Sequence, residues 1–506
     1  LRVVHLSASK MNNMEIPRAA PLLLLLLGLA SPASALSASS PLVRARVAAA
    51  TAPAVHASPL LRRLHPPVAS AATLQQPDAA ASTAAVAPED EWIARVDLAA
   101  FGKECRELGS RLEKGQGEAD VKHLKRMILW SNLCGAVGVA TMWMKPNFIS
   151  VMGLSLWTMS RWTMIAHHTC HGGYNKQDDG TGRFTSLGFA LGSVQRRAMD
   201  WLDWMLPEAW NVEHNNLHHF RTGEPGDPDL VERNLVTMRD FPLPAKLKYV
   251  AVAAVAAMWK WFYYAPNTYK QLRMHEMRRN GEEIPSSVDK HDPFTIGKFL
   301  PGMASEAPAL GYNFVDYMRK VAGPFMLIRF LLLPAPLLLV NPLFFRRAVV
   351  NLLLADVMSN LHSFVIIATN HCGDDLYAFQ NSVTPKSPSF FMRQVITSVN
   401  FRTSNGIRKD GTARPVHGIT ADANDFMHGW LNYQIEHHLW PQLSMLSYQK
   451  AAPQLRAICE KHGVPYVQHS VFRRLKKTAD VMVGAASMRQ FAPEWEAEED
   501  KFEWKA

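Results

Sequence analysis

Apolar residues along the chain gather into a few long runs set among polar stretches. Runs 127–144 and 148–166 are separated only by Lys145-Pro146-Asn147, and each has about the length a helix needs to cross a bilayer. The pattern predicts a helical hairpin, with Arg161 reaching back to the interface and Trp157 and Trp162 in an aromatic belt. A second pair is less uniform: run 321–340 is interrupted by Arg329, Pro334 and Pro336, and run 348–369 contains Asp356 and His362, with the turn at Asn341-Pro342. Between the pairs, 249–264 is apolar but short, and Lys260 among Trp259, Trp261, Tyr263 and Tyr264 predicts an interfacial helix. The expected fold class is an all-α membrane protein: four transmembrane helices in two hairpins, interfacial helices and a polar helical cap. Two crossings before His167 and two between His219 and His437 leave every histidine cluster on one side. Arg346 and Arg347 then fall on the far side from most of the positive charge, against the usual loop bias.

The N-terminal 88 residues differ in texture. After Arg18 come the apolar run 22–27 and Ala33-Ser34-Ala35, the order of a secretory signal. The following stretch, to about residue 87, is rich in Ala, Ser and Pro, with Arg44, Arg46, Arg62 and Arg63 against one acid, Asp78, and reads like a transit peptide. This pairing resembles the two-part presequence of plastid proteins in algae whose plastids lie inside the endomembrane system. The alternative is an Ala/Pro-rich disordered tail on an endoplasmic reticulum protein. The expected organisation is a presequence at 1–88, a polar segment at 89–125, the main domain at 126–475 and a charged tail at 476–506.

Of the net charge of +10 over 506 residues, the first 88 supply +5, so the charge does not call for nucleic acid. The remainder suits a protein lying on anionic lipid. Five cysteines, widely spaced and without a Cys-x-x-Cys pair, exclude a disulfide framework and a thiolate iron or zinc site.

Eight of the 20 histidines fall in three clusters: His167-His168-Thr169-Cys170-His171, His214-Asn215-Asn216-Leu217-His218-His219 and Gln434-Ile435-Glu436-His437-His438. Helical residues four apart share a face, so His167 with His171, and His214 with His218, can converge on one ion. Adjacent residues point about 100° apart, so each doublet can serve two ions, and the pattern predicts a pair of metals held between helices. Neutral imidazole suits iron, zinc or copper. A closed structural zinc site needs only four ligands, and a carboxylate-bridged bundle would show Glu-x-x-His pairs. Glu213 and Glu436 each precede histidines as possible acceptors for ring N–H groups.

In this order and spacing the clusters resemble the membrane fatty-acid desaturases of the histidine-box type. The phrases at 214–229 and 432–441 look like that family beyond their histidines, and the resemblance covers roughly residues 125–470. Gln434, standing where the third box usually begins with histidine, is similar to the front-end acyl desaturases, which insert a double bond between an existing one and the carboxyl end. The resemblance implies a di-iron centre in the polar cap, dioxygen as co-substrate, a fatty acyl lipid substrate and a cis double bond as product. Front-end enzymes usually carry a fused haem domain with His-Pro-Gly-Gly, which does not occur here. The implied electron donor is therefore a separate protein, ferredoxin in a plastid membrane or a cytochrome in the endoplasmic reticulum.

The family also implies one more histidine between boxes two and three. His371, directly after the fourth run, is the expected one, and His362 inside that run is the alternative. The implied metal ligands are His167, His171, His214, His218, His219, His371, His437 and His438, with His168, Gln434, Glu436 and Glu213 as outer contacts or extra ligands. His123, His275, His291, His417, His428, His462 and His469 read as surface or core residues, and Asp227 and Asp229 as loop-fixing. A hydroxylase, acetylenase or carotenoid oxygenase could share these boxes. A histidine-rich metal transporter would place its ligands near mid-bilayer on broken helices, whereas these lie at the ends of the runs.

Overall fold

Caps and small residues set the first hairpin. In the computed structural model, which describes residues 88–300, 305–403 and 418–502, helix α1 (Leu98–Lys114) starts where the Asp97 carboxylate accepts the Ala100 N–H at 2.9 Å. Helix α2 (Glu118–Thr141) follows, and α3 (148–170) starts where Asn147 accepts the Ser150 N–H at 2.9 Å. The two backbones touch. A Cβ on Gly153 would lie 2.8 Å from the Cys134 carbonyl oxygen and 3.0 Å from the Gly138 nitrogen. Arg161 does not reach outward as expected: it is 7% exposed and donates to Asn132 of α2. The expected presequence, up to residue 87, and His417 lie outside the described residues. Residues 88–91 belong to a separate small unit and carry the single turn Pro88–Asp90, while the body begins at Trp92.

Box two lies on α4 (207–221), which is followed by α5 (245–279), α6 (Phe314–Leu339) and α7 (Pro342–Ile367). Among the described residues, two helices are long and apolar enough to cross a membrane, Phe314–Leu339 and Pro342–Asn370. Helices α2 and α3 fall short, the first carrying Lys125, Arg126 and Asn132, the second Ser150, Ser155, Ser160 and Arg161. The middle of α5, expected at an interface, packs on α7 instead. The Trp259 indole donates to the Asn360 carbonyl at 3.0 Å, and fully buried Lys260 pairs with Asp203 at 2.6 Å. Asp356 accepts the indoles of Trp204 and Trp261 at 2.5 and 3.0 Å. The buried polar side chains Asn351, Asp356, Ser359, Asn360 and Ser363 of α7 thus each meet a partner within the protein, as a low-dielectric surrounding requires.

The C-terminal third wraps the cap. Helices α8 (Pro388–Ile396), α9 (Ile419–Met427), α10 (Gln434–Leu439), α11 (Met445–His462) and α12 (Val471–Met482) are joined by three short strand pairs. Tyr377–Phe379 pairs in parallel with Arg489–Phe491, with Tyr377 opposite Arg489, and Ser382–Val383 pairs with Lys501–Phe502. The segment expected as a separate charged tail is therefore built into the body as far as Phe502. Glu496, in that segment, is ion-paired with buried Arg393 of α8.

Candidate metal centre

The three histidine clusters meet. Ring nitrogens of His167, His171, His214, His219 and His437 all lie within 4.8 Å of one another, and those of His218, His371 and His438 form a second such set. The sets adjoin, the stacked rings of His219 and His438 being 4.3 Å apart. Box one sits on ordinary α-helix, but 211–218 of α4 is wide-turned π-helix. Its i→i+5 hydrogen bonding brings residues five apart onto one side. His219 therefore joins His214 in the set of five while His218 joins the set of three, and the expected His214 and His218 pair also converges, with Asp229, in a third such set.

Hydrogen bonds on the outer ring atoms fix which nitrogens face inward. His167 Nδ1 lies 3.0 Å from the Thr163 carbonyl and His371 Nδ1 lies 3.1 Å from the Thr397 carbonyl. A carbonyl only accepts, so both Nδ1 atoms carry the proton and both Nε2 atoms are bare lone pairs. The Tyr448 hydroxyl donates to the Trp440 and Pro441 carbonyls and accepts from His437 Nδ1 at 3.3 Å. His437 Nε2 is therefore bare as well, yet it lies 2.9 Å from His167 Nε2, and His214 Nε2 is 3.0 Å from the latter. Two bare lone pairs at this distance repel unless a cation lies between them. Adjacent nitrogens on one ion at a metal–nitrogen distance of about 2.1 Å are about 3.0–3.4 Å apart. Among the described residues, the Nε2 atoms of His171 and His438 are buried without a hydrogen-bond partner, which also fits metal ligands.

Burial keeps the rings neutral. Desolvation, then repulsion from neighbouring imidazoles, holds His167, His171, His214, His219, His437 and His438 well below the usual range. Burial lowers His371 to about 3. Only His218 among the eight rises: burial opposes its charge, but the Asp227 carboxylate, 2.9 Å from Nδ1, outweighs that cost. Trp210 stacks on His214 with ring centres 4.6 Å apart, fixing its plane.

The outer contacts divide as only the fold could decide. His168 stays outside both sets; its Nδ1 is 2.6 Å from the Met164 carbonyl, and burial lowers it to about 4. Gln434 donates to His371 Nε2 at 2.8 Å. Glu436 does not receive an imidazole proton; it accepts from Asn400 at 2.8 Å and Tyr466 at 2.6 Å. Glu213 faces Asp229 and Tyr264, and burial, then the Asp229 charge, pushes its carboxyl well above the usual range. His362 bonds the Met427 carbonyl at 2.8 Å, away from the cluster. Sequence reasoning missed Asp227 as the acceptor for His218, and Asp229, which lies within reach of His214 and His218. It also missed Gln394 of α8, 3.0 Å from His438 Nδ1. No periodicity marks these three; the one available signal was the Asp227-Pro228-Asp229 turn so soon after box two.

Residues 141–470 match the family model described as fatty acid desaturase, well over half of the chain. Among curated proteins, a 69-residue segment is 39% identical to a fatty acid desaturase 2-like protein of Mus musculus, covering 12% of this chain and 14% of that protein. A 42-residue segment is 48% identical to the Delta(8)-fatty-acid desaturase of Euglena gracilis, covering 8% and 10%. A 54-residue segment is 39% identical to the acyl-lipid (8-3)-desaturase of Rebecca salina, covering 11% and 13%. The matched segments thus span only a small fraction of these relatives. No solved structure matches. A family match running from the first hairpin to beyond the third histidine cluster, joined to the meeting of all three clusters, establishes that the chain belongs to the fatty acid desaturase family.

Proposed function

We propose that the protein is an oxygen-dependent acyl-lipid desaturase of front-end type, working at a di-iron centre held by the two imidazole sets. The observation that carries this is the pair of bare nitrogens, His167 Nε2 and His437 Nε2, 2.9 Å apart among neutral rings. An all-nitrogen donor set with no thiolate suits ferrous iron. When bound, the iron pair supplies the dioxygen activation needed to break unactivated C–H bonds. The protein's own share is positional. Asp227, Thr397, Gln394 and Tyr448 hold ring orientations, Trp210 shields one side, and the only acids among the described residues beside the rings are Asp227 and Asp229, next to His218.

An apolar groove of about 420 Å³ between α3 and α6, lined by Trp157, Phe325, Ile328 and Leu332, is proposed to receive the acyl chain from the bilayer. The four-span arrangement, with α2 and α3 crossing beside α6 and α7, goes with this reading. Gln434 at the third box, together with the regiochemistry in two relatives' names, supports the front-end assignment. The transit-like composition of the first 88 residues supports a plastid membrane with ferredoxin as donor, and the endoplasmic reticulum with a cytochrome is the alternative. Expression of the mature chain with and without His437→Ala, followed by acyl-chain analysis, tests the activity. A new unsaturated acyl chain is expected only with the intact box, and an unchanged profile in both rejects the assignment.

A further inference from the structure

Three buried arginines, Arg161, Arg197 and Arg329, line the apolar groove between α3 and α6, and among the described residues none has an ion-pair partner. Arg161 of α3 donates to the Asn132 side chain, and its Nε is buried without a hydrogen-bond partner. Arg197, in the turn at 194–201, donates to the carbonyls of Lys320, Trp204 and Val321 at 3.0, 2.8 and 2.6 Å, and its Nε is likewise unmet. Arg329 of α6 gives Nη2 to the Leu154 carbonyl and the Thr158 hydroxyl at 3.2 and 2.9 Å, while its Nε and Nη1 have no partner among the described residues. The three side chains are 7, 7 and 1% exposed. Both carboxylates that line the groove are taken, Asp200 by Arg183 at 2.6 Å and Asp203 by Lys260 at 2.6 Å. Asp356 does not line it and is bound by the indoles of Trp204 and Trp261.

A buried guanidinium bonded only to neutral acceptors keeps its whole charge, and each unmade N–H adds the cost of lost hydration. Three such groups around one hollow also repel one another, and a shared anion offsets both costs. The remaining walls say what carries the anion. Phe325, Ile328 and Leu333 give an apolar lining, and exposed Val194, Met199 and Leu332 rim it. An inorganic ion gains nothing from such walls, whereas an acyl chain buries its methylenes there. We propose that the lipid this groove receives is anionic, its carboxylate or phosphate held by Arg161, Arg197 and Arg329 and its chain lying along the apolar lining. The source is either a free fatty acid or an anionic phospholipid; a headgroup that adds a cation, such as phosphocholine, meets repulsion from the same three charges. The proposal rests on the reading that the groove takes an acyl chain, and it adds the charge that chain carries.

The test uses the full chain in nonionic detergent at about pH 8.5, where a carboxylic acid is ionised. The probes are cis-parinaric acid and its methyl ester, which share a fluorescent chain and differ in charge. The acid is expected to bind at least about tenfold more tightly than the ester. Leu332→Trp, at a half-exposed position on the rim, is expected to weaken both. Arg329→Met should bring the acid down to the affinity of the ester and leave the ester unchanged, and Arg161→Gln should shift the preference in the same direction. Because Arg329→Met removes an unpaired buried charge, the lipid-free variant should melt no lower than the wild type, and oleate should raise the melting temperature of the wild type but not of the variant. Oleate and dioleoyl phosphatidylglycerol then compete separately for the parinaric acid, and displacement by one names the source, with phosphatidylcholine inert. A preference for the acid that survives Arg329→Met, or displacement by neither lipid, overturns the proposal. Equal binding of acid and ester, both lost in Leu332→Trp, overturns the anionic end but leaves the acyl groove standing. Charge-selective, variant-sensitive binding by a chain that forms no unsaturated product refutes the desaturase reading and leaves the anionic-lipid site in place.

Discussion

Asp227→Asn is the sharpest probe of how the imidazoles are held. The carboxylate is 2% exposed and accepts from His218 Nδ1, the Gly223 N–H and the Asp229 N–H, each at 2.9 Å. One oxygen serves His218 and Asp229 and the other serves Gly223, so an amide of the same size cannot satisfy both sides. With its oxygen toward His218, its NH2 meets the Gly223 N–H, leaving a buried donor unpaired at a cost of about 1–3 kcal/mol. Flipped, its NH2 faces His218 Nδ1 and forces the proton onto Nε2, removing the lone pair from the set of three. Loss of such an outer partner lowers metal affinity about 10–100-fold, or about 1.4–2.7 kcal/mol. The assay is iron content per chain under graded chelator. One iron is expected to be lost at lower chelator than in the wild type, with the other, on the set of five, retained. Equal retention of both irons would falsify the orientation argument.

Further outcomes follow from the same geometry. Asp203→Ala leaves Lys260 fully buried without its partner and is expected to cost about 3–5 kcal/mol, read as a lower melting temperature in detergent; Asp203→Ala combined with Lys260→Met should recover much of the loss. Gly153→Ala drives a Cβ into the Cys134 carbonyl and is expected to cost about 1–3 kcal/mol, whereas the same change at exposed Gly115, whose φ is −85° and whose added Cβ would meet nothing nearer than 3.5 Å, should cost far less; equal losses of melting temperature would refute the close-packing argument. In metal-stripped protein, rings whose folded pKa lies below the unfolded 6.5 bind fewer protons folded than unfolded. Their stabilisation is complete above about pH 6.5 and drains away as pH falls. His218, raised by Asp227, runs the other way but is one ring against seven. Melting temperature should therefore fall between pH 7.5 and 5.5, and a flat or rising profile contradicts the buried neutral cluster.

Much of this protein is written locally. Helical runs, the Asn341-Pro342 turn, the histidine spacings and the want of thiolate ligands all depend on residues within a turn or two of each other, and such short-range patterns survive translation into structure. What the chain alone did not disclose involves groups far apart in sequence. The division into five and three depends on a widened turn in α4, at 211–218, which no motif announces. Gln394 and Thr397 reach His438 and His371 only because α8 folds under the third box, and the tail is integral only because Arg489–Phe491 finds Tyr377–Phe379. Arg161 and the middle of α5 looked like interface residues by composition, but a charged side chain goes wherever a partner lies within reach, and Asn132 and Asp203 are brought there by the fold. Periodicity fixes which side of a helix a residue takes; what stands opposite that side is decided only when the helices assemble.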